Sequence, residues 1–143
     1  MDTRVGLQPV APYHQFKRPI PFGSAAWTLW HDIEPVDRVV GIEARGFVMG
    51  AAVAYRLGVG FVPLRKPGKL PPPVASVDYE LEYGRDRLEA RADALHARER
   101  VLIADDVLAT GGTLCAARAL VERLGAHVVG ASVLIELDAF GGR

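Results

Sequence analysis

The apolar run Val101-Leu102-Ile103-Ala104 ends directly on two carboxylates, Asp105 and Asp106, and a Thr110-Gly111-Gly112-Thr113 turn follows before a helical stripe begins. Four apolar residues without polar alternation describe a strand buried on both faces, as in a parallel sheet. Beyond the turn, Leu114, Ala117, Val121 and Leu124 recur at helical spacing, and Gly125 marks the stop. A further apolar run over residues 128–135 reads as a strand. An upstream segment repeats the arrangement. Val39-Val40-Gly41-Ile42 is a short buried strand, and Phe47, Val48, Ala51, Ala54 and Tyr55 carry a helical period over residues 46–57 with Gly58 as its stop. Gly60-Phe61-Val62-Pro63-Leu64 is a second strand, placed at a sheet edge or strand end by its proline. Strands alternating with helices imply an α/β domain with a mainly parallel sheet, because parallel neighbours require a crossover. A chain of 143 residues, half of them apolar, suits one such domain.

Order is weaker elsewhere. Residues 1–35 mix prolines, tryptophans and histidines without a sustained period, so they receive no regular element. Residues 1–38 are therefore an atypical N-terminal segment and 39–143 the core domain. Arg65, Lys66, Gly68, Lys69, Pro71-Pro72-Pro73 and Gly84 describe a long exposed loop over residues 65–84. In residues 88–95, Leu88, Ala90 and Ala92 alternate like a strand, whereas Leu88, Ala92 and Leu95 fit a helix, and both readings stay open.

Seventeen basic residues balance seventeen acidic ones, so no global field favours nucleic acid or an anionic membrane. The single cysteine, Cys115, excludes an internal disulfide and suits a reducing cytosol; it reads as a small buried helix residue rather than a redox sensor. The four histidines form no metal-ligand spacing. No apolar run approaches the roughly 18 residues of a membrane span. The expectation is a soluble, cytoplasmic protein.

Chemistry concentrates after the Val101–Ala104 run. A strand leading through a glycine turn into a helix presents backbone N–H groups and the positive end of the helix dipole, which together suit a phosphate. Glycines let the backbone approach closely, and the Thr110 and Thr113 hydroxyls add donors. Asp105 and Asp106 would repel a bare phosphate, so they suit sugar hydroxyls or the water shell of Mg²⁺. The competing reading is an acidic cap with glycines needed only for the bend.

The nine residues Asp105-Asp106-Val107-Leu108-Ala109-Thr110-Gly111-Gly112-Thr113 resemble the 5-phosphoribosyl 1-diphosphate (PRPP) signature of type I phosphoribosyltransferases. Gly41-Ile42-Glu43-Ala44-Arg45-Gly46-Phe47 is similar to the diphosphate loop of the adenine-specific family, and Arg65-Lys66-Pro67-Gly68-Lys69-Leu70-Pro71 with Leu81-Glu82-Tyr83-Gly84 to its mobile lid. The resemblance implies a central parallel sheet flanked by helices, usually in a homodimer. It implies conversion of adenine and PRPP to AMP and diphosphate, with Mg²⁺ held through PRPP and no direct protein metal site. Asp105 and Asp106 would hold the ribose hydroxyls, and Ala109, Thr110, Gly111, Gly112 and Thr113 the 5-phosphate. Glu43, Ala44 and Arg45, joined by a cis Glu43–Ala44 peptide, would bind diphosphate with Arg65, Lys66 and Lys69. Arg45 and Glu82 would be catalytic, Glu82 by assisting proton transfer at the purine, while Tyr83 belongs to the lid and Val107 offers the base an apolar edge. Without the family, the basic residues read as a solvated face, and Tyr79, Leu81 and Tyr83 alternating with Glu80 and Glu82 as an exposed strand.

The family's purine hood, a Phe-x-Asp-Ile-x-Pro segment, has no convincing copy. His31-Asp32-Ile33-Glu34-Pro35 stands too close to Gly41 for the helix expected between them. The chain also stops where the family continues into another strand, so an uncovered sheet edge is expected. The alternatives are a PRPP-binding regulatory or inactive homologue lacking the hood, or a phosphoribosyltransferase for another base.

Overall fold

A computed structural model describes residues 5–9, 35–81, 84–137 and 140–141. Strands β1 (Val5–Pro9), β2 (Arg38–Ile42), β3 (Gly60–Leu64), β6 (Arg100–Leu108) and β7 (His127–Glu136) form one sheet in the order β1-β7-β6-β2-β3. The β3-β2, β2-β6 and β6-β7 pairs are parallel, and β1 joins β7 antiparallel. Helix α1 (Gly46–Leu57) connects β2 to β3, and α2 (Gly112–Arg123) connects β6 to β7. The expected α/β architecture is present, and Pro63 lies on the edge strand β3 as its missing N–H requires.

The apolar runs are buried on both faces, which divides the core in two. Val39, Leu102 and Ala104 pack with Val53 and Ala54 of α1 and with half-buried Phe61. Val40, Ile42, Val101 and Ile103 point the other way, into a larger cluster with Leu114, Ala117, Leu120 and Val121 of α2. Each fully buried aliphatic side chain contributes roughly 1.5–3 kcal/mol of transfer free energy.

Several expectations are revised or settled. The segment read as a loop over residues 65–84 contains β4 (Val74–Leu81), paired antiparallel with β5 (Gly84–Arg91) from Val74↔Arg91 to Leu81↔Gly84. Its alternating Ala75, Val77 and Tyr79 pack against the larger core cluster, and that burial overrides the loop-like composition before it. The same hairpin settles residues 88–91 as strand, with Leu88 and Ala90 fully buried. Asp105 and Asp106 lie within β6, which stays paired with β7 as far as Leu108↔Glu136. The sheet edge beside β7, expected to be bare, is occupied by β1, although no element was assigned to Val5–Pro9 from sequence. Cys115, expected buried, is exposed on the outer side of α2.

Candidate functional site

Adjacent strands β2 and β6 lead to opposite sides of the sheet, β2 through α1 to β3 and β6 through α2 to β7. Such a reversal opens a crevice at the strand carboxyl ends. Pairing of β2 with β6 stops at Gly41↔Ala104, while β6 continues beside β7. Residues 105–108 thus lose their β2 neighbour, and the turn over residues 43–45 enters that side. Gly46 makes the approach possible. A Cβ there would lie 2.8 Å from the Ala104 carbonyl oxygen and 3.1 Å from Asp105 Oδ1. The Glu43–Ala44 peptide is cis, as the sequence resemblance implies.

The turn brings two charged groups into place. Arg45 Nε donates to Asp106 Oδ2, with the arginine largely exposed and the aspartate one-fifth exposed. Asp105 is buried and accepts the Asp106 N–H at 2.9 Å. Burial pushes the Asp105 carboxyl up to about 7, aided by the neighbouring Asp106 carboxylate and opposed by the Asp106 N–H and Arg45. Glu43 gathers the first residues of the expected lid. Its Oε2 accepts the Lys66 N–H at 2.7 Å and Arg65 Nε at 3.3 Å, and its Oε1 accepts Lys69 Nζ. Burial raises the Glu43 carboxyl, but the combined donors outweigh it and hold the group down at about 2. Arg65 also lies over the Phe47 ring, 5.9 Å from its centroid.

The Lys66 ammonium is directed toward the β4–β5 hairpin, where it donates to Tyr79 Oη at 2.8 Å and to Asp86, while Tyr79 Oη donates to Asp86 at 2.9 Å. The same segment is tied down once more by the Gly68 N–H on buried Glu89 at 3.0 Å. Sequence reading missed these roles of Glu43, Tyr79, Asp86 and Glu89. Their only signal was an acidic residue beside a basic loop, which does not say which partner it meets.

The turn before α2 has the features of an anion cradle. Gly111 adopts φ 85° at the helix N-cap, a conformation natural to glycine, and the first helical bond runs from Cys115 N–H to Gly111 O at 2.9 Å. The amides before Cys115 precede that bond, and no acidic side chain occupies the first turn. Thr110 is exposed, while Ala109, Gly112, Thr113 and Val107 are half-buried. The sequence-predicted Asp105, Asp106, Glu43, Ala44 and Arg45 therefore meet at the carboxyl ends of β2 and β6, with residues 109–113 leading from the same end of β6 into α2. Arg65 and Lys69 join them through Glu43. Glu82, Tyr83 and the His31–Pro35 match up to residue 34 lie outside the described residues.

A separate cavity of about 400 Å³ beside β3 is lined by Arg38, Phe61, Pro63, Leu70 and Arg91, among others. Its guanidinium groups are already paired, Arg38 with Glu99 at 3.0 Å and Arg91 with Asp93 at 2.8 Å, so it offers no comparable anion site. Among the described residues, no three acidic, histidine or cysteine side chains converge on a metal position, and no helix is long and apolar enough to cross a membrane.

Residues 24–139 match the phosphoribosyl transferase domain family. Adenine phosphoribosyltransferase of Methylococcus capsulatus is 60% identical over 110 residues, covering 77% of this chain and 64% of that protein. Adenine phosphoribosyltransferase of Rhodothermus marinus superposes with a TM-score of 0.77 at 39% identity, covering 98% of this chain and 86% of the other. The Saccharomyces cerevisiae enzyme, solved with an imino-altritol bisphosphate and adenine, gives a TM-score of 0.75 at 44% identity over 81% of this chain and 65% of that one. The chain spans less than two thirds of the length of the first curated relatives, 64%, 64% and 61% respectively.

Proposed function

Because the chain belongs to the phosphoribosyl transferase domain family and is similar over nearly its whole length to an adenine phosphoribosyltransferase, we propose that it transfers the 5-phosphoribosyl group of PRPP to adenine, yielding AMP and diphosphate. One observation carries this reading: an acidic pair, a glycine turn entering a helix and an exposed arginine gather at the switch point between β2 and β6. A sugar carrying a monophosphate at one end and a diphosphate at the other has the charge pattern that matches.

Breaking the C1–diphosphate bond leaves positive charge on the ribosyl carbon and negative charge on the leaving group. Arg45 and the Glu43–Ala44 backbone would hold the departing diphosphate, with Arg65 and Lys69 adding charge from the lid and Lys66 joining them on leaving Tyr79 and Asp86. Asp105 and Asp106 would fix the ribose hydroxyls, and residues 109–113 the 5-phosphate. Val107 would face the base, Glu82 would assist the purine proton, and Tyr83 would close with the lid. A Mg²⁺ carried by PRPP, with its charge balanced by the phosphates, is what the family resemblance implies. Bound there, the ion would neutralise diphosphate charge.

Residues 39–143 would form the catalytic core, with the N-terminal segment 1–38 contributing β1 to the same sheet beside β7. The exposed stripe of α1, with Val48 at 78% and Tyr55 at 89% exposure, supports a homodimer built on that helix. The single cysteine suits a reducing, cytoplasmic setting. Purified protein supplied with PRPP, Mg²⁺ and each purine in turn tests the reaction, with calorimetry reporting PRPP binding. AMP formed from adenine supports it; PRPP binding without turnover would make the chain a sensor instead.

A further inference from the structure

The Glu43 carboxylate has both oxygens engaged by the three donors of one short segment. The Lys66 N–H and Arg65 Nε share Oε2, Lys69 Nζ takes Oε1, and the side chain is only 9% exposed. Its own N–H is held by the Leu64 carbonyl at 2.9 Å, which anchors the carboxylate to the end of the sheet. We propose that Glu43 is an intramolecular competitor of diphosphate, occupying the Arg65, Lys66 and Lys69 donors until the ligand draws them away. This rests on assigning those donors to diphosphate.

The physical case is one of matched chemistry. Two cations converging on one spot repel each other unless an anion lies between them, and the Glu43 carboxylate is that anion for Arg65 and Lys69. A diphosphate presents the same acceptor type with more charge, so it must share or displace the carboxylate. Pairing these donors with Glu43 weakens substrate and product binding alike, and it gives the donors a partner to return to when product diphosphate leaves. Glu43 is therefore a positioning residue that sets how tightly the leaving group is held.

Calorimetry with inorganic diphosphate on wild type, Glu43→Gln and Glu43→Asp tests the proposal. Removing one unit of competing charge should tighten diphosphate binding about 5- to 10-fold in Glu43→Gln. Glu43→Asp, which keeps the charge, should return toward wild type. Equal or weaker binding in Glu43→Gln, beside measurable wild-type binding, overturns the competitor role. Absence of diphosphate binding in every form would overturn the underlying assignment of residues 65–69. A second measurement needs no variant: titrating wild type with diphosphate should shift the Glu43 side-chain carboxyl resonance as its donors depart. An unmoved resonance at saturation overturns the proposal.

Discussion

Arg45 closes on the Asp106 carboxylate and so joins the turn after β2 to the carboxyl half of β6, across 61 residues of chain. The arginine is 78% exposed, and an ion pair of that kind contributes at most about 1 kcal/mol to stability. Its value lies in placing a forked cation beside the two carboxylates of β6, Asp105 and Asp106. Arg45→Met should therefore lower kcat/KM for PRPP about 100-fold or more while moving the melting temperature by only a few degrees. Steady-state kinetics paired with thermal melting would check this, and a large loss of stability would make Arg45 a structural residue instead.

Asp105 carries a pH signature of its own. Its folded carboxyl is raised to about 7 from an ordinary value of 3.8, so the folded chain retains a proton that the unfolded chain has already lost. The stability this confers is full below about 3.8 and disappears as pH rises through about 7. Ribose hydroxyls bound there would, by contrast, donate to the ionised form. Between pH 6 and 8, PRPP affinity should rise while the melting temperature declines. Asp105→Asn should flatten the stability trend and weaken PRPP binding at every pH, which melting and calorimetry across that range would reveal.

Gly46 lets α1 begin against β6. The Cβ of an alanine would fall 2.8 Å from the Ala104 carbonyl oxygen, a backbone atom that cannot swing aside. Overpacking of this type costs about 1–3 kcal/mol. Gly46→Ala should lower the melting temperature by about 5–15 °C and shift Arg45 away from Asp106, so that PRPP turnover falls further than stability alone explains. Gly58→Ala provides the contrast. At φ 69° its penalty is conformational, with nothing within 4 Å of the added Cβ, and it lies at the far end of the helix from Arg45.

The elements that carry their own period were legible in the sequence. Residues 46–57 form the helix their spacing describes, and the apolar runs 39–42, 60–64 and 101–104 are strands because burial on both faces leaves them no polar alternative. Asp105 and Asp106 stand out in the sequence as candidates because two carboxylates adjoin a glycine turn, whereas Arg45 stands out only through the resemblance of residues 41–47 to a diphosphate loop. What stayed hidden depends on distant partners. Tyr79 and Leu88 belong to a hairpin whose stability comes from packing over α2, and a composition of prolines and charges before it pointed to a loop. The Glu43 carboxylate was equally invisible, since its donors at residues 65–69 arrive only once β3 pairs with β2.

Acid should expose that hidden cluster. Glu43 ionises near 2 in the folded chain against 4.5 for an unconstrained glutamate, so its contribution is complete above about 4.5 and is lost as pH falls through about 2. Asp86 is also lowered, its burial outweighed by Lys66, the Arg87 N–H and Tyr79, so the hairpin contact and the Glu43 contact would weaken in the same direction. Global acid denaturation therefore cannot isolate one of them, but the Lys66 N–H can, because it donates to Glu43 alone among the described side chains. Its amide resonance in wild type should titrate with the Glu43 carboxyl, beginning to move only well below pH 4.5. In Glu43→Gln the titration should vanish, while Asp86→Asn should leave it in place and loosen Tyr79 instead. A Lys66 amide that moves near pH 4.5 in wild type would mean that Arg65 and Lys69 do not grip the carboxylate as the geometry requires.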